Sequence, residues 1–218
     1  NGARYHLKRA CAIWQAKGDV HGLMRGYINF GYLWNKREKP DKAIPFLEKA
    51  LDQAKQVGEE ISIGAIYQNI GEAFRLKREL GKAEIYFRQA EAIFRQFSCL
   101  IDLAGLQEDL GLVYVDWQQW TKAGAYLEAA LEGWQTLGNK HRGVQTMFYL
   151  ACYEKLKGDE ARAQAWLREM QIYLSDMVES DSITVHLGKS EGLSRAYLSL
   201  ELDKLHRIQL VLPQQAKT

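Results

Sequence analysis

The stretch Tyr27–Ala50, YINFGYLWNKREKPDKAIPFLEKA, decides the fold. Together with Met24 just before it, the residues Tyr27, Ile28, Gly31 and Trp34 fall at helical spacing on one face. The breaker Glu38-Lys39-Pro40-Asp41 follows, with proline at the start of a second helix, where its missing N–H does no harm. Pro45 falls early in that helix, where it is tolerated. The helix runs to about Val57 and stops at Gly58, a residue suited to the left-handed conformation that closes a helix. The stretch therefore reads as helix, tight turn, helix.

Working outward, the same order returns every forty residues. Gly31, Gly71 and Gly111 align, with Ala151 in the fourth row. Ala43, Ala83, Ala123 and Ala163 align with Ala3. Ala50, Ala90 and Ala130 align with Ala10, and Met170 takes that place in the last row. Leu7, Leu47, Phe87, Leu127 and Leu167 form a column, and so do Gly18, Gly58 and Gly138, with Ser98 in the gap. A fixed period in the range of about 20–50 residues means a solenoid or an array. The small columns let the helices of a pair approach closely and receive large side chains from the facing helix.

The copies read Tyr27-x-x-Phe30-Gly31-x-x-Trp34…Ala43…Leu47…Ala50, then Tyr67-x-x-Ile70-Gly71-x-x-Phe74…Ala83…Phe87…Ala90. Next come Gln107-x-x-Leu110-Gly111-x-x-Tyr114…Ala123…Leu127…Ala130 and a degenerate Met147-x-x-Leu150-Ala151-x-x-Glu154…Ala163…Leu167…Met170. This order resembles the tetratricopeptide (TPR) pattern over residues 1–177. It departs from that pattern in period, forty rather than the usual ~34. It also lacks the closing proline, which is replaced by Lys55, Arg95 and Gln135. The longer period looks like that of spindle-orientation adaptors, bacterial peptide-sensing regulators and sensor arms of signalling ATPases. The resemblance implies an all-α, right-handed α-solenoid of antiparallel helix pairs at about 20–57, 60–97, 100–137 and 140–175, after an orphan helix at 2–17.

The orphan helix matches only the second helix of a repeat, and alone it leaves an apolar face bare. With no initiator Met, this leads us to expect a chain that begins inside a longer array, or one that packs this face on another copy. The columns stop after Met177, which marks 178–218 as a separate capping or interaction segment. There Ile183, Val185 and Leu187 alternate with polar residues; so do Ala196, Leu198, Leu200 and Leu202, and so do Ile208, Leu210 and Leu212. That is strand patterning and suggests a β-hairpin. Leu198, Leu202, Leu205, Ile208 and Leu212 also fall on one helical face, so a capping helix fits as well. A hairpin would have to dock on the last repeat or on another chain. Pro213 ends either element, and residues 214–218 are expected to fray.

Composition narrows the function classes. The 218 residues carry 29 Lys+Arg against 27 Asp+Glu, a net charge of +2, with 47% hydrophobic residues and only 3 Pro. This helical inventory excludes a disordered chain. The near-balance argues against a protein that wraps nucleic acid. No apolar run approaches the ~20 residues of a membrane span, and Asn1–Ala16 is amphipathic rather than a signal peptide. Cys11, Cys99 and Cys152 are widely spaced and odd in number, which points to reduced thiols in the cytoplasm. No HExxH, GxxxxGK[ST], GxSxG or CxxC occurs, and His21 and His141 stand at equivalent rather than convergent places. Glu59-Glu60 and Glu108-Asp109 read as solvated neighbours. The expectation is no enzyme, no cofactor and no metal.

The TPR resemblance implies a concave groove lined by the first helix of each pair. Carried over residue by residue, it offers Arg25, Asn29, Tyr32, Asn35 and Lys36 from the first pair. The second gives Gln68, Asn69, Glu72 and Arg75, the third Glu108, Asp109, Leu112 and Asp116, and the fourth Tyr149, Cys152 and Lys155. An amide such as Asn29 or Asn69 both donates and accepts, which suits an extended peptide backbone. The same two residues also fit a role tying helices together. Residues 1–100 carry 17 basic and 11 acidic side chains, and residues 101–140 carry 2 and 6. Solvated outer faces account for most of these charges, leaving Arg25, Lys36 and Arg75 as groove cations. Trp34, Phe74, Tyr114, Tyr86 and Tyr126 read as core, and Trp117 and Trp120 as partly exposed. The leading reading is a protein- or peptide-binding scaffold within a larger signalling or regulatory protein, without nucleic acid or membrane partners. The alternative is a homodimerisation module acting through the terminal segments.

Overall fold

Eight tight turns set the architecture of the computed structural model, which describes residues 2–178, 197–199 and 209–211. They join nine helices among the described residues. These are α1 (Gly2–Lys17), α2 (Val20–Asn35), α3 (Pro40–Val57), α4 (Glu60–Leu76), α5 (Leu80–Gln96), α6 (Leu100–Asp116), α7 (Trp120–Thr136), α8 (Lys140–Lys157) and α9 (Glu160–Val178). Each turn holds one residue in the left-handed region: Gly18, Glu38, Gly58, Arg78, Ser98, Gln118, Gly138 and Gly158, with φ between 53° and 97°. In each, the next N–H donates back to a carbonyl five residues earlier. Lys39 reaches Trp34 at 3.0 Å, Glu59 reaches Ala54 at 3.0 Å and Cys99 reaches Phe94 at 2.9 Å. This closure satisfies helix-end carbonyls that would otherwise lack partners.

The turn therefore recurs every twenty residues, twice per repeat. The glycine column seen in the sequence marks every second turn. Ser98, the apparent gap, adopts the same conformation with φ 53°. The hydrogen-bonded turn, not the glycine, is the constant.

The chain divides into two compact units, Asn1–Leu106 and Gln107–Thr218, and the division falls within α6. In the first unit α2 packs on α3 and α4 on α5, while α3 meets α4 and α2 also touches α4. Its core gathers Met24, Ala43, Leu47, Ala50, Ala54, Ile63, Ile66 and Ile70. A Cβ on Gly31 would lie 2.3 Å from Leu47 Cδ2, and one on Gly71 would lie 2.7 Å from Phe87 Cδ1. These two glycines are the close-approach points read from the columns. In the second unit Gly111 does the same against Leu127, α7 packs on α8 and α8 on α9.

Helix α1 packs on α2, with Cys11 and Trp14 against Gly26 and Gly22, and leaves Tyr5 and Ile13 exposed. Beyond α9, β1 (Tyr197–Ser199) and β2 (Gln209–Val211) pair antiparallel, with Tyr197 opposite Val211, Leu198 opposite Leu210 and Ser199 opposite Gln209. The strand pairing inferred from alternation thus exists over these six residues. The expectations for Ser180–Lys189, for Pro213 and for the last five residues lie outside the described residues.

Candidate functional site

The first unit carries an open stripe on α2. Arg25, Asn29, Tyr32 and Lys36 are exposed, and their spacing of four, three and four residues puts them on one helical face. Tyr32 is 53% exposed, and the Lys36 ammonium stands 5.4 Å from its ring centroid. A cation over an aromatic face is worth about 0.5–1 kcal/mol when exposed. Beside the stripe lies a hollow of about 420 Å³, lined by His6, Leu7 and Ala10 of α1 and by Asn29, Tyr32 and Leu33 of α2. It offers an apolar floor with an amide, a phenol and an imidazole around it.

The remaining first-unit candidates are structural in their contacts. Asn35 is buried, and its Nδ2 donates to the backbone carbonyl of Asn69 at 2.8 Å, tying α2 to α4. The Asn69 amide donates to Ala65 of its own helix at 2.8 Å. Arg75 is buried and forks onto Glu72, its Nε at 2.7 Å and Nη2 at 2.9 Å from the two carboxylate oxygens. A bidentate pair of this kind is strong and geometrically fixed. Arg75 is thus neutralised within α4, and the cations presented by the stripe are Arg25 and Lys36. Gln68 is half-buried.

The second-unit candidates are covered to a greater degree. Leu112, Tyr149 and Cys152 are buried, while Asp109, Asp116 and Lys155 are half-buried. Burial pushes the Cys152 thiol far up, out of reach of ionisation at neutral pH. Glu108 is 3% exposed. It accepts from Thr146 Oγ1 at 2.6 Å and from Arg142 Nη2 at 3.0 Å. Burial raises its pKa to about 7 against the opposing pull of Arg142 and Thr146. Reading Glu108-Asp109 as a solvated pair is therefore corrected for Glu108. Its partners lie 34 and 38 residues away, at distances no short motif reports.

A second feature escaped the sequence reading. Lys42, Lys82 and Lys122 lie over Trp34, Phe74 and Tyr114 at 5.1, 5.3 and 5.0 Å. Both sets recur at forty residues. The fourth repeat keeps the geometry but changes the chemistry. Glu154 replaces the aromatic ring, and Arg162 takes the lysine position 3.4 Å from its carboxylate. The aromatic positions expected as core split accordingly. Tyr114 is fully buried, while Trp34, Phe74, Tyr86 and Tyr126 are half-buried. Trp117 is 39% exposed, and Trp120 is half-buried against Tyr153.

Among the described residues no group of three or more His, Cys, Asp or Glu is placed to hold a metal ion. No helix among them is long and apolar enough to cross a membrane.

The fold and its exposed helix faces define the class: a helical-repeat protein built of tetratricopeptide-type pairs. The tetratricopeptide repeat family model matches residues 22–96, so these residues carry the repeat of that family. No curated protein matches it in sequence. Among solved structures, BtubC from P. vanneervenii superposes with a TM-score of 0.65 at 21% identity, over 84% of this chain and 86% of that one. The apo form of RapI gives 0.64 at 12% identity, over 80% and 71%. MamA gives 0.55 at 17%, over 83% and 97%. At these identities the likeness is one of fold.

Proposed function

We propose that the chain is a protein-interaction scaffold that holds an extended peptide segment against the α2 stripe. The observation that carries this reading is the exposed row Arg25, Asn29, Tyr32 and Lys36 beside an apolar hollow. Asn29 can donate to and accept from a peptide backbone. Arg25 and Lys36 favour acidic side chains, and the hollow takes one apolar anchor. The partner is therefore an acidic segment with a buried aliphatic or aromatic residue, and the scaffold performs no catalytic step of its own. The reducing cytoplasm fits a chain whose three cysteines are unpaired, and a place within a larger signalling or regulatory protein is part of the same proposal.

Selection from a displayed random-peptide library tests the reading. Enriched sequences should share one apolar residue flanked by Asp or Glu, and Asn29→Ala with Tyr32→Ala should abolish enrichment. Enrichment that survives both substitutions, or basic consensus peptides, would reject it. Self-association through the terminal segments is the competing account. Light scattering that shows dimers broken by Tyr5→Asp and Ile13→Asp would favour it.

A further inference from the structure

Equivalent positions of successive repeats differ sharply in cover. In the column at 32, 72, 112 and 152, Tyr32 is 53% exposed, Glu72 half-buried, Leu112 6% exposed and Cys152 fully buried. In the column three residues earlier, Asn29 is exposed and Tyr149 is 7% exposed. The residue types follow the cover. Where the second pair has Gln68, Asn69 and Glu72, the fourth has Phe148, Tyr149 and Cys152.

Helix α8 buries nine consecutive residues, Thr146 to Glu154. Successive residues turn by about 100°, so such a run leaves no face in water. Helices α7 and α9 pack on it, and α6 meets it through Glu108 on Thr146 and Arg142; α4 likewise has α2, α3 and α5 against it, yet leaves Gln68, Asn69 and Glu72 half-buried. The cover of α8 thus exceeds what three packed helices give α4 on the face that corresponds to the α2 stripe.

The occupant is in the same compact unit. Gln107–Thr218 includes α6 from Gln107 onward, α7–α9 and the strand pair β1–β2. Two strands of three residues do not persist alone in water and need a surface to cover. Their sequence alternates apolar residues, and the register sets Leu198 opposite Leu210. A helix covered beyond what its helical neighbours account for and a ribbon that needs a support stand in one unit.

We propose that the strand pair Tyr197–Ser199 with Gln209–Val211 is the resident occupant of the face formed by Leu112, Tyr149 and Cys152. The second unit thus fills this face from its own chain, while the α2 stripe of the first unit stays open. This inference stands on the second unit alone and survives if the peptide reading of α2 fails.

The test uses the full chain with p-benzoylphenylalanine in place of Leu112. Irradiation followed by mass spectrometry should give an intramolecular adduct within residues 195–213. Adducts confined to a second copy, or to peptides of α6–α9, would overturn the proposal. A second measurement follows maleimide labelling of Cys152 in a Cys11→Ser, Cys99→Ser background. Leu198→Asp with Leu210→Asp should speed labelling at least tenfold while the helical circular dichroism is kept. An unchanged rate in that folded variant would also overturn it.

Discussion

Gly31, Gly71 and Gly111 stand where a methyl group would meet the facing Leu47, Phe87 and Leu127. Forcing atoms into a packed site costs about 1–3 kcal/mol, so Gly71→Ala should lower stability by that much in urea denaturation. The left-handed turns give the opposite expectation. Gln118 is exposed, with φ 58°, a conformation strained for a residue with a Cβ. Gln118→Gly should raise stability by roughly 0.5–1 kcal/mol, the strain relieved less the extra chain entropy, read as a higher urea midpoint. The glycine columns were legible because a missing side chain leaves a gap in the repeat. The turns at Glu38, Arg78, Ser98 and Gln118 were not, because the backbone hydrogen bond fixes them and the residue type does not. The lysines over Trp34, Phe74 and Tyr114 were not legible, because a cation on a helix looks the same in sequence whether it meets water or a ring.

At the scale of the element, α6 and α8 hold the least expected feature. Glu108 is buried beneath Arg142 and Thr146, and its pKa rises to about 7 from the 4.5 of an ordinary glutamate. Between these pH values the unfolded chain has released the proton and the folded chain keeps it. The contribution of Glu108 to stability is thus largest below about pH 4.5 and falls as pH rises to about 7. Urea midpoints at pH 5 and pH 8 should differ in that direction. Glu108→Gln, which stays neutral, should shrink the difference; an unchanged difference would show that other groups cause it. Sequence alone could not show this, since burial depends on which helix lies 34 to 38 residues away. The helix limits themselves were legible, because Pro40, Gly58 and the apolar spacing punctuate each pair. The strand pair was half legible: alternation and a single helical face coexist in the same leucines, and only pairing decides between them.

At the scale of the whole molecule, the forty-residue columns carried the repeat fold, while the site was only partly legible. The repeat assigns the same role to equivalent positions, yet Tyr32 is open and Cys152 fully buried at the same place in the column. What covers a face comes from outside the repeat, so the repeat cannot report it. We assign external binding to the stripe at Arg25, Asn29, Tyr32 and Lys36. Amide hydrogen exchange of the full chain, with and without a library-selected acidic peptide, tests that claim most directly. It predicts slowed exchange confined to α1 and residues 25–36. Protection confined to α8 or the strand pair, or none at saturating peptide, would contradict it.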